Sequence, residues 1–219
     1  MGKRTERGGQ MVAIFLKGGP LMWPLLLCSL FSLTLIIERA IFWLRDGGRN
    51  EGRVIDEILR QAEAGDFEKA AAAPGESPGV GARVLVEGLK GREYGVRESL
   101  EIAAQTEIDR MKRGMTVLDT IITLAPLLGI LGTVLGIIES FDVLGKMGIE
   151  NPRAVTGGIA QALITTAAGL FVAIMTLIPF NIFVGRVERK TGYLERVATG
   201  LEITYRKYCG ENDAVKERI

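Results

Sequence analysis

The sequence predicts an all-α membrane protein in which three transmembrane helices carry long helical extensions on one side of a bilayer. Three observations support this class. Hydrophobic residues make up 47% of 219 positions, mean hydropathy is positive, and the apolar residues gather into three long runs near 21–37, 120–138 and 154–185. The last run is free of charge throughout, and it exceeds the ~20 residues that cross a bilayer core. Between and after the runs lie charged, helix-patterned segments.

The third run, with its flanks at 151–189, is the stretch around which the chain is organised. Gly158, Ala162 and Thr166 recur every fourth residue, and Gln161, Thr165 and Gly169 form a second row beside them. A helix surrounded only by lipid gains nothing from such rows. Small residues let neighbouring backbones approach, and Thr or Gln hydrogen-bond across an interface or face a watery lumen. This run is therefore expected to pack inside an assembly.

Composition excludes several classes. Histidine is absent, which removes the commonest metal ligand and the commonest general base near neutral pH. Cys28 and Cys209 offer neither zinc spacing nor a disulfide framework. No nucleophile–base pair, phosphate-binding glycine loop or paired-carboxylate motif stands out, and a net charge of +1 points to no nucleic acid. An enzyme, a metal site and a cofactor are not expected.

In chain order, residues 1–20 carry Lys3, Arg4, Arg7 and Lys17 around a short apolar patch at 11–16. Gly18-Gly19-Pro20 interrupts the patch and no cleavage site follows, so an uncleaved tail with an interfacial helix is expected. The first transmembrane helix is expected at 21–44, with Trp23 and Trp43 near its ends where amphipathic rings favour headgroups. Glu38-Arg39 reads as an interfacial ion pair snorkelling to water. The 45–113 segment is a soluble helical domain with a helix at 53–64 stopped by Gly65, a turn-rich break at 74–79 and a helix at 80–90. From Val96 the spacing of Leu100, Ala104, Ile108, Met111, Met115 and Leu118 predicts an amphipathic helix running straight into the second transmembrane helix.

That second transmembrane helix is placed at 114–141, bounded by Asp119, Glu139 and Asp142. Gly132 and Gly136 form a G-x-x-x-G pair extended by Gly129 and Thr133, and Pro126 marks a bend that neighbouring helices make tolerable. A short loop at 142–153 leads to the third transmembrane helix at 154–185, with Pro179 as a second bend. A heptad-like stripe of Val187, Thr191, Leu194, Ala198, Leu201, Tyr205 and Tyr208 carries the helix on through the C-terminal segment 186–219. Residues 211–219 read as a frayed tail.

Positive charge sets the expected topology. The 45–113 and 186–219 segments hold twenty of the 27 Lys/Arg, against two in the connection at 143–153. The positive-inside rule then places both large segments in the cytoplasm and the N-terminus outside.

The motifs KGGPLMWPLLLCSLFSLTLIIER at 17–39, LAPLLGILGTVLGIIESF at 124–141 and GGIAQALITTAAGLFVAI at 157–174 resemble the ExbB/TolQ family of bacterial inner-membrane proton-channel subunits, relatives of the flagellar stator subunit MotA. The resemblance runs nearly end to end. It implies a homopentamer whose second and third membrane helices line a pore around the single membrane helices of two ExbD/TolR-like partners. It also implies that an aspartate on the partner cycles protons, and that the work reaches the outer membrane through a TonB- or TolA-like protein. Thr133 in GILGTVLG and Thr166 in ALITTAAG match the family's pore-lining threonines; Gln161 and Thr165 join them as lumen candidates. Gly129, Gly132, Gly136, Gly158, Ala162 and Gly169 are assigned to helix packing, and Asp119 to a proton exit.

Two departures are visible. The third helix of relatives usually has glutamate where Gln161 stands, and glutamine does not titrate. Met175 stands where relatives often have proline, with Pro179 one turn later. No ionisable residue lies inside the second and third runs, so the proton carrier is expected from a partner. A sodium-coupled channel, using Thr, Gln and carbonyl oxygens for a hard cation, and a non-conducting membrane scaffold stay open as alternatives.

Overall fold

The computed structural model describes residues 15–45, 51–72, 79–147 and 152–216. Among them every regular element is helical and no strand occurs. In order these are α1 (Met22–Arg45), α2 (Glu51–Glu63), α3 (Phe67–Ala72), α4 (Val80–Lys90), a 3-10 turn at Arg92–Tyr94, α5 (Val96–Lys112), α6 (Met115–Met147) and α7 (Pro152–Lys216). Among the described residues three stretches, Met22–Leu44, Val96–Lys146 and Thr156–Cys209, contain windows long and apolar enough to cross a membrane. The class is an all-α membrane protein with three such helices. The chain divides into two compact units, Met1–Glu38 with Gly114–Ile182, and Arg39–Arg113 with Phe183–Ile219.

In the first unit, α6 and α7 meet along a seam of small residues. The buried positions on α6 are Ile121, Ala125, Gly129, Gly132, Gly136 and Ser140, and those on α7 are Ala162, Thr165, Gly169, Ala173 and Thr176. Both sets advance in steps of three or four, which keeps them on one helical face. Backbones nearly touch here. A Cβ on Gly169 would lie 2.4 Å from the Ala125 carbonyl oxygen, and one on Gly136 would lie 2.8 Å from that of Gly158. Met22 and Leu25 of α1 join Ala125 and Ala173 in a core completed by Phe15, Leu128, Ala168 and Val172. The outer face of α1 stays bare, with Trp23, Leu27, Leu30 and Phe31 each more than half exposed. Water does not tolerate so continuous an apolar surface, whereas lipid or another apolar surface covers it.

The amphipathic helix expected to run from Val96 directly into the membrane is interrupted. Gly114 takes a left-handed φ of 76° and separates α5 from α6. Arg113 before it is extended (φ −53°, ψ 131°), which ends the hydrogen-bond ladder of α5. A side chain at 114 would suffer from that φ and would lie 3.1 Å from Leu35. The apolar spacing survives the break, since Leu100, Met111, Met115 and Leu118 are all buried. Periodicity reports which face is buried, not whether the backbone is continuous. Both α6 and α7 run unbroken through Pro126 and Pro179. The C-terminal tail read as frayed is helical as far as Lys216, while the turn at 74–78, the patch at 11–14 and residues 217–219 lie outside the described residues.

The second unit is built on α4, whose Val80, Ala82, Val84, Leu85, Val86 and Leu89 are all buried. Also buried in this unit are Ile55, Ile58 and Ala62 of α2, Leu100 and Met111 of α5, and Val187, Leu194 and Leu201 from the heptad-like stripe of α7. Polar clamps fix these helices. Glu51 accepts hydrogen bonds from the Gly81 amide at 2.6 Å, near the start of α4, and from Lys190 of α7 at 2.8 Å. Buried Glu107 of α5 takes both oxygens to the Arg83 guanidinium, each at 3.0 Å, and also meets Arg110. Charge-assisted, bidentate geometry of this kind orients helices as well as stabilising them.

Arg39 corrects the sequence reading. Rather than snorkelling to water it is only 3% exposed, and its Nη1 donates to the carbonyl oxygens of Arg110 (3.0 Å) and Met111 (3.5 Å). The last carbonyls of a helix lack intrahelical partners and carry partial negative charge, so a guanidinium there both caps and neutralises. Its plane also lies over the Phe42 ring at 4.9 Å. The stem that allows snorkelling also allows a long reach into protein.

Candidate functional site

The site of interest in the first unit is the α6/α7 pair, which has two unlike flanks. Successive helical residues turn by about 100°. With the buried seam as origin, Thr133 on α6 and Thr166 on α7 each lie roughly 70° to the same rotational side, and because the helices run antiparallel these sides coincide. Leu128, Ala168 and Val172, packed against α1, lie to the other side. One flank therefore carries α1 and the opposite flank carries two threonines.

The threonine hydroxyls are both engaged within the chain. Thr166 Oγ1 donates across the seam to the Gly129 carbonyl at 2.9 Å, and Thr133 Oγ1 donates to the Ile130 carbonyl at 2.6 Å. Each hydroxyl has one hydrogen and two lone pairs. With the hydrogen directed at a backbone carbonyl, what remains is an acceptor. A water molecule, a protonated carboxyl group or a cation suits such an oxygen; an unprotonated carboxylate does not.

Gln161 and Thr165 occupy different ground. Thr165 is 1% exposed, and its hydroxyl reaches the Gly18 carbonyl at 2.7 Å and the Gln161 carbonyl at 2.9 Å. The Gln161 side chain lies against Gly19, where a Cβ would come within 2.4 Å of Nε2 and where φ is 76°. Both residues thus meet the turn that precedes α1. Sequence rows alone did not reveal this contact, because the Gly-Gly pair read only as an interruption.

The packing glycines sit along the seam. A Cβ on Gly129 would meet the Thr166 Cα at 3.0 Å, one on Gly132 the Thr165 side chain at 2.4 Å, and one on Gly158 the Gly136 carbonyl at 2.8 Å. Ala162 is buried beside Gly136. Ser140, which sequence reasoning passed over, is buried where Gly158 approaches and donates to the Gly136 carbonyl at 2.8 Å. Asp119 is exposed in the first turns of α6, Glu139 is exposed near its far end, and Asp142 pairs with Lys146 at 2.6 Å. Between Asp119 and Glu139 on α6, and from Thr156 to Gly185 on α7, no residue is charged.

A tightly meshed, uncharged helix pair with a hydroxyl-bearing flank defines a membrane-embedded helical subunit. The chain belongs to the MotA/TolQ/ExbB proton channel family, whose pattern matches residues 77–196. It is 41% identical over 202 residues to the ExbB-like 1 protein of Synechocystis sp., covering 88% of this chain and 78% of that relative. A second protein of that organism, ExbB-like 3, is 36% identical across 87% of this chain and 93% of its own length. The Tol-Pal system protein TolQ of Pseudomonas aeruginosa is 34% identical over 53% of this chain and 48% of its own. The protein is accordingly an ExbB/TolQ-type membrane proton-channel subunit, in a family of transport proteins rather than of enzymes.

Proposed function

We propose that this chain is the pore-forming subunit of a motor driven by proton-motive force in a bacterial inner membrane. Five copies surround two copies of an ExbD/TolR-like single-span partner. The partner supplies the membrane aspartate, and the complex energises a TonB- or TolA-like protein for outer-membrane transport or envelope maintenance. The N-terminus lies in the periplasm, with 45–113 and 186–219 in the cytoplasm.

The observation that supports this reading best is the flank opposite α1. Thr133 and Thr166 stand there within about one helical turn of each other along the seam, since Thr166 contacts Gly129 and Thr165 contacts Gly132. Both present acceptor oxygens, which match a partner aspartate in its protonated state, and no ionisable group in the span competes for the proton. Asp119, at the cytoplasmic end of α6 in this topology, serves as the proton exit. Burial of Thr165 and the contact of Gln161 with Gly19 support a different role for these two, holding the pre-α1 turn against the pair.

Intact-complex mass measurement on protein gently extracted from its native membrane tests the assembly. Five copies with two of a small single-span protein are expected. Replacing the partner's membrane aspartate by asparagine should then abolish function with that mass unchanged, and retained function would overturn the mechanism.

A further inference from the structure

A cleft of about 500 Å³ opens at the end of the α6/α7 pair where the pre-α1 turn crosses it. Its wall combines Lys17, Glu139, Gln161 and the bare backbone of Gly157 with the apolar Leu16 and Ile164. Lys17 stands just before the first apolar run and Glu139 is the first charged residue after the run of α6, so the cleft lies at headgroup depth. Among the described residues, the side chains of Lys17, Glu139 and Gln161 make no hydrogen bond or ion pair. Three polar groups, Lys17 and Glu139 exposed and Gln161 half-buried, therefore border one space without bonding to one another. Glu139 lies on the α1 flank of α6 by the same rotation that places Leu128 there. The neighbouring surface of α1, with Trp23, Leu27 and Phe31 bare, is the one that lipid covers.

We propose that this cleft binds the headgroup of a zwitterionic phospholipid with a primary ammonium, of the phosphatidylethanolamine class. Lys17 pairs with the phosphate, and the ammonium donates to the Glu139 carboxylate and the Gln161 amide oxygen. An acyl chain leaves along Leu16 and Ile164. The charge order of the wall selects the class. A purely anionic headgroup would bring no cation to Glu139, and a quaternary choline has no N–H to donate to either acceptor. The ligand acts as a wedge between the pre-α1 turn and the helix pair, next to Ser140 and Gly158.

The test uses the full-length protein in its native oligomer, delipidated and then equilibrated with vesicles of phosphatidylethanolamine, phosphatidylcholine or phosphatidylglycerol. Retained lipid is counted by mass spectrometry of the intact complex. Phosphatidylethanolamine should be retained preferentially, and Lys17→Gln and Glu139→Gln should each lower its retention by about tenfold. Neither change touches the seam, so the oligomer mass and helical content should match wild type. Retention of phosphatidylglycerol by the wild type equal to that of phosphatidylethanolamine would reduce the cleft to a cationic patch and overturn the proposal. Equal retention of phosphatidylcholine would overturn the role of the ammonium. Absence of retained lipid, the outcome if a second copy of this chain fills the cleft, would overturn it as well.

Discussion

Replacing Gly169 by alanine probes the seam with a single methyl group. The new Cβ would lie 2.4 Å from the Ala125 carbonyl oxygen and 3.2 Å from the Gly129 Cα. Both obstacles are backbone, so no rotamer change relieves them. Ordinary contact starts near 3.4 Å, so the helices must part by 3.4 − 2.4 = 1.0 Å. That displacement stretches the Thr166–Gly129 hydrogen bond from 2.9 Å beyond its useful range. Overpacking costs about 1–3 kcal/mol, loss of the interhelical bond adds about 0.6 kcal/mol, and the helix preference of alanine over glycine returns about 0.5–1 kcal/mol. The net loss is about 1–3 kcal/mol. At about 2–4 °C per kcal/mol for a chain of this size, the intact protein should melt several degrees lower. Gly145→Ala and Gly200→Ala are internal controls, because a Cβ at either site meets nothing within 4 Å. They should melt at or slightly above the wild-type temperature. A Gly169→Ala protein melting with these controls would refute the close-packed seam.

Other consequences are equally direct. Arg39→Met keeps the apolar stem and removes the donors to the Arg110 and Met111 carbonyls; a loss of about 1.5–3 kcal/mol and faster proteolysis beside Gly114 are expected. Glu51→Gln removes the charge of the carboxylate that Lys190 meets at 2.8 Å and weakens the contact with the start of α4, so amide exchange in the first turn of α4 should accelerate while α6 is unaffected. The Asp66 carboxyl is held below its usual range by the Lys69 side chain and then by the Lys69 amide. Its native value is lower than its unfolded one, so its contribution is present above the ordinary aspartate range of about 4 and is lost as pH falls through the native value. Amide protection factors in α3, corrected for the intrinsic pH dependence of exchange, should therefore fall on acidification from pH 5 toward pH 3, and Asp66→Asn should flatten that response.

Much of this architecture is legible in the sequence because the dominant forces are periodic. Long uncharged runs announce α1, α6 and α7, and α4 occupies Val80–Lys90, the helical stretch expected there. The stripe through Val187, Leu194 and Leu201 marks a buried face on α7. Less legible are features that depend on one dihedral angle or one long reach. The break at Gly114 needs a left-handed φ, which an amphipathic pattern does not report. Arg39 beside Glu38 looks like a surface pair until the carbonyls of α5, more than seventy residues later, come within 3.0 Å. The division between the two rows on α7 is similar. Fourfold spacing identifies Thr165 and Thr166 equally as small polar residues, but adjacent positions are about 100° apart. One hydroxyl consequently meets the Gly18 carbonyl and the other the Gly129 carbonyl.

The most direct test of the central claim is proton flux through vesicles reconstituted with the complex extracted from its native membrane, followed with an internal pH-sensitive dye. The comparison is between the wild-type chain and Thr133→Val/Thr166→Val, which keeps side-chain volume and removes both acceptor oxygens. The expected result is acid influx, independent of sodium, that the double variant loses while its oligomeric mass is unchanged. Equal flux in the two proteins, or flux that requires sodium, would contradict the account.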